Sequence, residues 1–263
     1  MNINKVIWIT GASSGIGRAL ALQYAQQNGV ALILSARRTQ VLESVKQACG
    51  GGSKIALLPF DLTQNDQAEQ YVTQALQLFG RIDVLINNGG VSQRSKILDT
   101  NFEVFETLMQ VDYLGSVALT RALLPHFVQQ KSGHFVTVTS VMGKYGSPFR
   151  SGYCGAKHAL HGFFDVLRME HAKDGIAVTL LCPGFVRTQV TVNALTGDGS
   201  ALGHDDPATA SGLEVNAVAK RMIRAIAQKK WEVYFGRKEK LGVYLKRLSN
   251  KLLHQVVIRS KVR

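Results

Sequence analysis

A chain of 263 residues that is 46% hydrophobic and 19% charged can build one large core, and this composition excludes a disordered or fibrous protein. Three scattered cysteines (Cys49, Cys154 and Cys182) form no CxxC or Cys/His cluster, which argues against a metal site or a disulfide framework and for a reducing compartment. The net charge of +13 is uneven: residues 237–263 hold nine Lys/Arg against one Glu, +8 of the total, so the body is mildly basic and a general nucleic-acid surface is not expected.

The first strand is expected at Lys5–Thr10 (KVIWIT). No signal-peptide core precedes it and no segment has transmembrane length, so a cytoplasmic location is expected. TGASSGIG (Thr10–Gly17) follows and opens a helix expected over Gly15–Asn28. Gly11, Gly15 and Gly17, spaced GxxxGxG with Ser13, Ser14 and Ile16 between them, allow a tight turn and close approach of backbone to a pyrophosphate at the helix N-terminus. The alternative is a glycine-rich turn without a ligand. The second strand, Val30–Ala36, ends in LSARR. An NAD site wants an acid there for the ribose 2′-hydroxyl; this chain offers Arg37, with Arg38 beside it, which suits the 2′-phosphate of NADP(H).

Further apolar, β-branched runs follow at Ile55–Phe60, Ile82–Asn87, His134–Ser140, Ile176–Cys182 and Trp231–Phe235. Helical periodicity occupies Gln64–Phe79, Asn101–Gln130, Ser151–Ala172 and Glu214–Ala227. The early runs are almost continuously hydrophobic, as in a parallel sheet covered on both faces. Seven strands alternating with helices, with a glycine turn after the first, favour a single Rossmann-type doubly wound α/β domain over residues 1–236 rather than an eight-stranded barrel. The polar, glycine-rich interval Asn193–Gly212 is too long for an ordinary connection, so a substrate lid over about residues 189–212, or a partly disordered loop, is expected.

In SGYCGAKHAL, Tyr153 precedes Lys157 by four positions, which puts a phenol and an ammonium on one helical face. Alone, such a pair is usually two solvated side chains. In order, however, TGASSGIG, INNGG, VTSVMG, YCGAK and PGFVRT resemble the short-chain dehydrogenase/reductase superfamily, across residues 10–188. SPFRSGYCGAKHALHGFFDVLRME further resembles the branch that holds the dehydrogenase/reductase member 7-type enzymes and the 11β-hydroxysteroid dehydrogenase relatives.

The resemblance implies a catalytic Ser140, thirteen positions before Tyr153, that hydrogen-bonds a substrate carbonyl oxygen. It implies that Tyr153 is the general acid/base and that Lys157 lowers its pKa and binds the nicotinamide ribose. It also assigns cofactor contacts: Asp61 and Leu62 to adenine, Asn88 and Gly89 to the adenosine-side ribose, and Pro183, Gly184, Val186 and Thr188 beside the nicotinamide. The family usually reads NNAG where this chain reads NNGG. One departure bears on catalysis: Asp112, in QVDYLG, stands where the family has an Asn that links the Lys to a water. An ionised carboxylate accepts hydrogen bonds but donates none, so Asp112 is expected to hold the Lys157 ammonium charged while competing for its hydrogen bonds, which impairs the relay. On that reading an Asn there would raise turnover or leave it unchanged.

In the tail, Leu241, Leu245, Leu248, Leu252 and Val256 share one helical stripe. Residues 237–263 are expected to form one basic amphipathic helix that docks on its own domain or another subunit, or that contacts an anionic membrane surface. The expectation as a whole is an NADP(H)-dependent oxidoreductase that interconverts a carbonyl and an alcohol. The substrate would be a small apolar molecule in a pocket touched by Ser140, Met142, Phe149 and Tyr153, and the assembly a homodimer or homotetramer. The alternatives are a dinucleotide sensor with impaired catalysis and a peripheral membrane protein that works through its tail.

Overall fold

The structure, a computed structural model, describes residues 3–260. Met1 and Asn2 of the expected catalytic domain, and Lys261 and Arg263 of the basic tail, lie outside the described residues. In chain order the elements are β1 (Lys5–Thr10), α1 (Gly15–Tyr24), β2 (Val30–Ser35), α2 (Thr39–Ala48), β3 (Lys54–Leu57), α3 (Ala68–Phe79), β4 (Val84–Asn87), α4 (Phe102–Met109), α5 (Gly115–Gln130), β5 (Gly133–Val138), α6 (Ser151–Glu170), β6 (Ile176–Pro183), α7 (Pro207–Ala210), α8 (Val215–Ala227), β7 (Glu232–Phe235), α9 (Leu241–Leu248) and α10 (Asn250–Arg259).

The seven strands form one parallel sheet in the order β3-β2-β1-β4-β5-β6-β7. The apolar runs form central strands because both faces are covered. Ile7, Ile9, Leu32 and Leu34 pack against α1 and α8 on one side, and Val6, Trp8, Ile33 and Phe135 face α3, α5 and α6 on the other. All eight of these side chains are fully buried. The order reverses between β1 and β4, which opens a crevice beyond their C-terminal ends, the usual ligand position in an open α/β sheet.

Three elements differ from the periodicity. The long helix expected over residues 101–130 is broken by a π-helical stretch at Gln110–Leu114, which buries Asp112 completely. Such bulges rotate side chains off the regular helical face, so a charged residue can turn inward without ending the helix. The interval at residues 189–212 is folded over the domain: Leu195 bridges to Gln93 and to Ala201, and α7 sits within it.

The tail is two helices rather than one. The chain turns out of helical geometry at Ser249, whose Oγ accepts the Leu252 N–H and starts α10. The turn shifts the docked face. Val243 and Leu253 are buried against Val141, Met142, Tyr145 and Cys154, while Leu241, Leu248, Leu252 and Val256 of the expected stripe are exposed.

Candidate active site

The glycine turn closes on the neighbouring strand end. Gly11 has φ +62°, and a Cβ on it would lie 2.7 Å from the Gly89 Cα, so two backbones meet where no side chain fits. Thr10 Oγ1 accepts the N–H groups of Asn88 and Gly89, each at 3.0 Å, and Asn88 Nδ2 donates to Thr10 O and Gly11 O. Asn88 therefore holds the turn from behind as well as bordering the crevice. Gly17 does not border it: a Cβ there would lie 2.4 Å from Gly11 O, so this glycine lets α1 pack onto the turn. That places Gly17 in support of the cofactor loop rather than in contact with a ligand. A Cβ on Gly89 would also meet Leu62 Cδ1, so the strand end has no room for a side chain on that side either.

A cleft of about 600 Å³ runs from this turn to the end of β5. Gly11, Ser13, Ser14, Gly15 and Ile16 border it at the turn. Arg37 and Arg38, both exposed, border it beyond β2, with Asp61 and Leu62 beyond β3 and Asn88 and Gly89 beyond β4. Pro183, Gly184, Val186 and Thr188 border it beyond β6, and Asp112, Ser140, Met142, Tyr153 and Lys157 complete it. Residues distant in sequence thus meet because every strand of a parallel sheet ends on the same side. Phe149 is not brought here. With φ +66° it turns instead to a separate hollow beside Ile97 and Leu98.

The cleft fits a dinucleotide. Gly15 has φ +51°, and a Cβ on it would fill the gap toward Thr188 at 3.3 Å. Ser14, at the N-cap of α1, spends no side-chain hydrogen bond on the helix, and the first turn carries no acid, so the helix N–H groups and their partial positive charge are free for an anion.

At the other end, α6 presents Tyr153 and Lys157 one turn apart, with Lys157 Nζ 5.6 Å from the Tyr153 ring centroid. The start of α6 is capped from a distance: Gln93 Oε1 accepts the N–H of Gly152 at 2.8 Å and of Tyr153 at 3.4 Å. Ser140 Oγ accepts the Met142 N–H at 3.1 Å and donates to Pro183 O at 3.2 Å, which holds the hydroxyl at the floor of the cleft.

Lys157 Nζ donates to Val138 O at 3.3 Å and stands 3.2 Å from Asp112 Oδ2, an ion-pair contact without hydrogen-bond geometry. Asp112 Oδ1 accepts the Val91 N–H at 2.7 Å. Burial opposes the Lys157 ammonium, but the Asp112 carboxylate and Tyr153 outweigh it and raise its pKa above the ordinary lysine value. Burial likewise raises the Asp112 carboxyl, against the pull of Lys157 and Val91. Tyr153 departs from expectation: Lys157 and Ser140 do favour the phenolate, but burial is larger and the phenol lies above its usual value. Nor does Asp112 simply take hydrogen bonds from Lys157. It is the only carboxylate paired with that buried ammonium among the described residues, and it holds the loop at Val91 as well.

Sequence reasoning missed Thr10, Gln93, Arg94 and Arg150. The only signal was polar side chains between strand ends and helix starts, which no periodicity interprets. Among the described residues no cluster of His, Cys, Asp or Glu could hold a metal.

A parallel sheet whose switch-point cleft joins a glycine turn to a Ser–Tyr–Lys group defines a nucleotide-dependent oxidoreductase. The comparisons make this specific. A family profile described as short chain dehydrogenase matches residues 5–198. The "Dehydrogenase/reductase SDR family protein 7-like" of Drosophila melanogaster is 39% identical over 98% of this chain and 81% of its own length. "Dehydrogenase/reductase SDR family member 7" of Homo sapiens is 48% identical over 74% of this chain, which spans 59% of that protein's length. The structure of a short chain dehydrogenase/reductase from Burkholderia phymatum in complex with NAD superposes with a TM-score of 0.83, 94% coverage of each chain and 24% identity, a likeness of fold. The chain belongs to the short-chain dehydrogenase/reductase family, in the branch of the member 7-type proteins.

Proposed function

We propose that the chain is an NADP(H)-dependent reductase or dehydrogenase that interconverts an apolar carbonyl compound and its alcohol, with Tyr153 as the acid/base. The carrying observation is that Ser140, Tyr153 and Lys157 share one cleft with the glycine turn and Arg37. The turn and the start of α1 would hold the pyrophosphate, and Arg37, with Arg38, the 2′-phosphate. A bound nicotinamide supplies or takes the hydride. The chain's own residues handle the proton. In reduction, the Ser140 hydroxyl orients the carbonyl oxygen and Tyr153 Oη gives it a proton as negative charge builds there. The Lys157 ammonium steadies the phenolate that is left. In oxidation the proton returns to Tyr153. Met142, with Val190, Leu195 and Ala201 of the segment over residues 189–212, lines the same cleft and supplies apolar surface for such a substrate. Oxidation of NADPH against a panel of carbonyl compounds tests this reading; a panel with no turnover and no NADPH binding would sink it.

Arg37 carries the cofactor choice. Its guanidinium is exposed at the cleft mouth, and no acid follows β2. The Arg37→Asp variant removes a charge-assisted partner and adds repulsion, so its affinity for NADPH should fall about 10- to 100-fold while that for NADH changes little. Fluorescence titration checks this, and equal affinity of the native chain for both dinucleotides would count against NADP.

We also propose a cytoplasmic protein, assembled as a homodimer or homotetramer, that touches anionic membrane through its tail. The support for membrane contact is that Leu241, Leu248, Leu252 and Val256 are exposed among Lys246, Arg247 and Lys251 while the opposite face is docked. The protein should sediment with phosphatidylserine vesicles at low salt and much less at high salt. A Leu248→Glu/Leu252→Glu variant should stay in solution. Indifference of the native protein to vesicles at both salt levels would leave the helices as a docking element only.

A further inference from the structure

Two arginines border the cleft near Tyr153 and have no place in the reaction described above. Arg94 follows β4, and Arg150 immediately precedes α6, three positions before Tyr153. Their side chains are 10% and 3% exposed. Both face a single carboxylate, Asp206 of the folded-over segment: Arg94 Nη2 lies 2.8 Å and Arg150 Nη2 3.5 Å from the same Oδ2.

The two guanidinium groups are not equally used. Arg94 donates from Nε and Nη2 to Asp206, from Nη1 to Ser92 Oγ and Gln93 O, and from Nη2 to Thr191 Oγ1. Asp206 Oδ1 accepts the Thr209 N–H at 2.6 Å, so this carboxylate is fully engaged. Arg150 donates only from Nη1, to Pro148 O at 3.2 Å and Ser147 Oγ at 3.5 Å. Its Nη2 is buried and has no hydrogen-bond partner. The other cation at this end, Lys157, is already paired with Asp112.

One carboxylate against two guanidinium groups leaves one positive charge in excess. Tying the segment down needs one arginine, and Arg94 does that. A second, buried arginine whose Nη2 has no hydrogen bond and only a long contact to a carboxylate already engaged is costly unless something else completes it. Burial, with Arg94 adding, brings the Arg150 pKa down to about 10, which still leaves it charged at neutral pH. A planar fork of N–H donors matches a carboxylate in shape and charge. The cleft that Arg150 and Tyr153 both border is also lined by Met142, Val190 and Leu195, which suit a hydrocarbon chain.

We propose that Arg150, backed by Arg94, is a carboxylate-recognising group at the substrate end of the cleft, so that the substrate is an amphipathic oxo-acid or the matching hydroxy-acid. Its carbonyl lies at Tyr153, its chain along the apolar wall, and its carboxylate at Arg150 Nη2. The carbonyl half rests on the function proposed above; the carboxylate half does not.

The test uses ω-oxo-alkanoates of increasing length and their methyl esters, each reduced with NADPH by the full chain. At the fitting length the acid should exceed its ester by about tenfold or more in kcat/KM, with the difference carried in KM. Arg150→Gln should bring that ratio close to one, and Arg150→Lys, which keeps the charge but not the fork, should fall between. Esters that match or exceed the acids at every length, or a ratio unmoved in Arg150→Gln, would overturn the proposal and leave the reductase reading intact. Binding is measured separately. Octanoate should bind the native protein in calorimetry, more weakly as salt rises, and about tenfold or more weakly to Arg150→Gln. If octanoate does not bind the native protein, or binds the variant equally well, the carboxylate site does not exist, whatever the turnover. If octanoate behaves as expected but no carbonyl compound is reduced, the site stands and the reductase reading fails.

Discussion

Tyr153→Phe should abolish most turnover while leaving the fold and NADPH affinity intact, because only the hydroxyl is lost. The expected loss in kcat is about 10²- to 10⁴-fold, the range a positioned proton donor contributes. The direction of the Tyr153 pKa adds a pH signature. Burial holds the phenol above its ordinary value, so the resting chain carries a protonated Tyr153 throughout the neutral range. Carbonyl reduction, which needs that proton, should be flat through neutral pH and fall only at alkaline pH. Alcohol oxidation needs the phenolate and should climb over the same interval. Ser140→Ala should lose less and keep the same limbs, since it removes an orienting hydroxyl and not the titrating group. Turnover by the Phe variant near the native rate would assign the proton to another group.

Asp112→Ala should lower stability by about 3–5 kcal/mol, since it leaves a buried ammonium without its counter-charge. The sign with pH follows from Lys157. In the native chain its pKa is raised, chiefly because Asp112 outweighs burial, so its contribution is stabilising below the unfolded lysine value and is lost as pH rises through the folded one. In the variant only burial acts strongly, the folded value drops, and at neutral pH folding must bury an unpaired charge or shed a proton. The gap between native and variant should therefore be widest near neutrality and narrow only as pH rises past the unfolded lysine value of about 10.4 and on through the higher folded one. Denaturant melts across that interval measure the difference. Asp112→Asn keeps an oxygen for the Val91 N–H and should fall between the two. An Asn variant as stable as the native chain near neutrality would show that Lys157 does not depend on the carboxylate.

The gap between sequence and structure at this site has a physical origin. Ser140, Tyr153 and Lys157 were legible because their spacing is short and their neighbours form an ordered set of motifs. Asp112 was legible as a departure and as a charge beside Lys157, but its burial and its hold on the Val91 N–H were not. A helical wheel treats residues 101–130 as one regular helix, whereas the π-helical stretch turns Asp112 into the core. Arg94, Arg150 and Asp206 were invisible as a group: Arg94 and Asp206 stand 112 positions apart, on a strand-end loop and on the segment that folds back over it. Gly17 and Phe149 show the same limit at short range. Both lie in motifs that border the cleft, and packing turns one behind the glycine loop and the other into a separate hollow.

By itself the sequence determined the class of fold, the seven strands and the glycine turn, and its ordered motifs marked Ser140, Tyr153 and Lys157 as a group. These are local properties: burial on both faces of a sheet is written as continuous apolar runs, and a tight turn beside a helix start is written as glycine spacing. Only the tertiary structure decided which charges meet. It gave the Asp206 carboxylate to Arg94, left Arg150 Nη2 without a hydrogen bond, and divided the tail at Ser249 so that Val243 and Leu253 face the domain, joined from the expected stripe by Leu245. A charge has no periodicity to announce its partner; which carboxylate reaches which cation depends on how loops from separate strands pack over the same crevice.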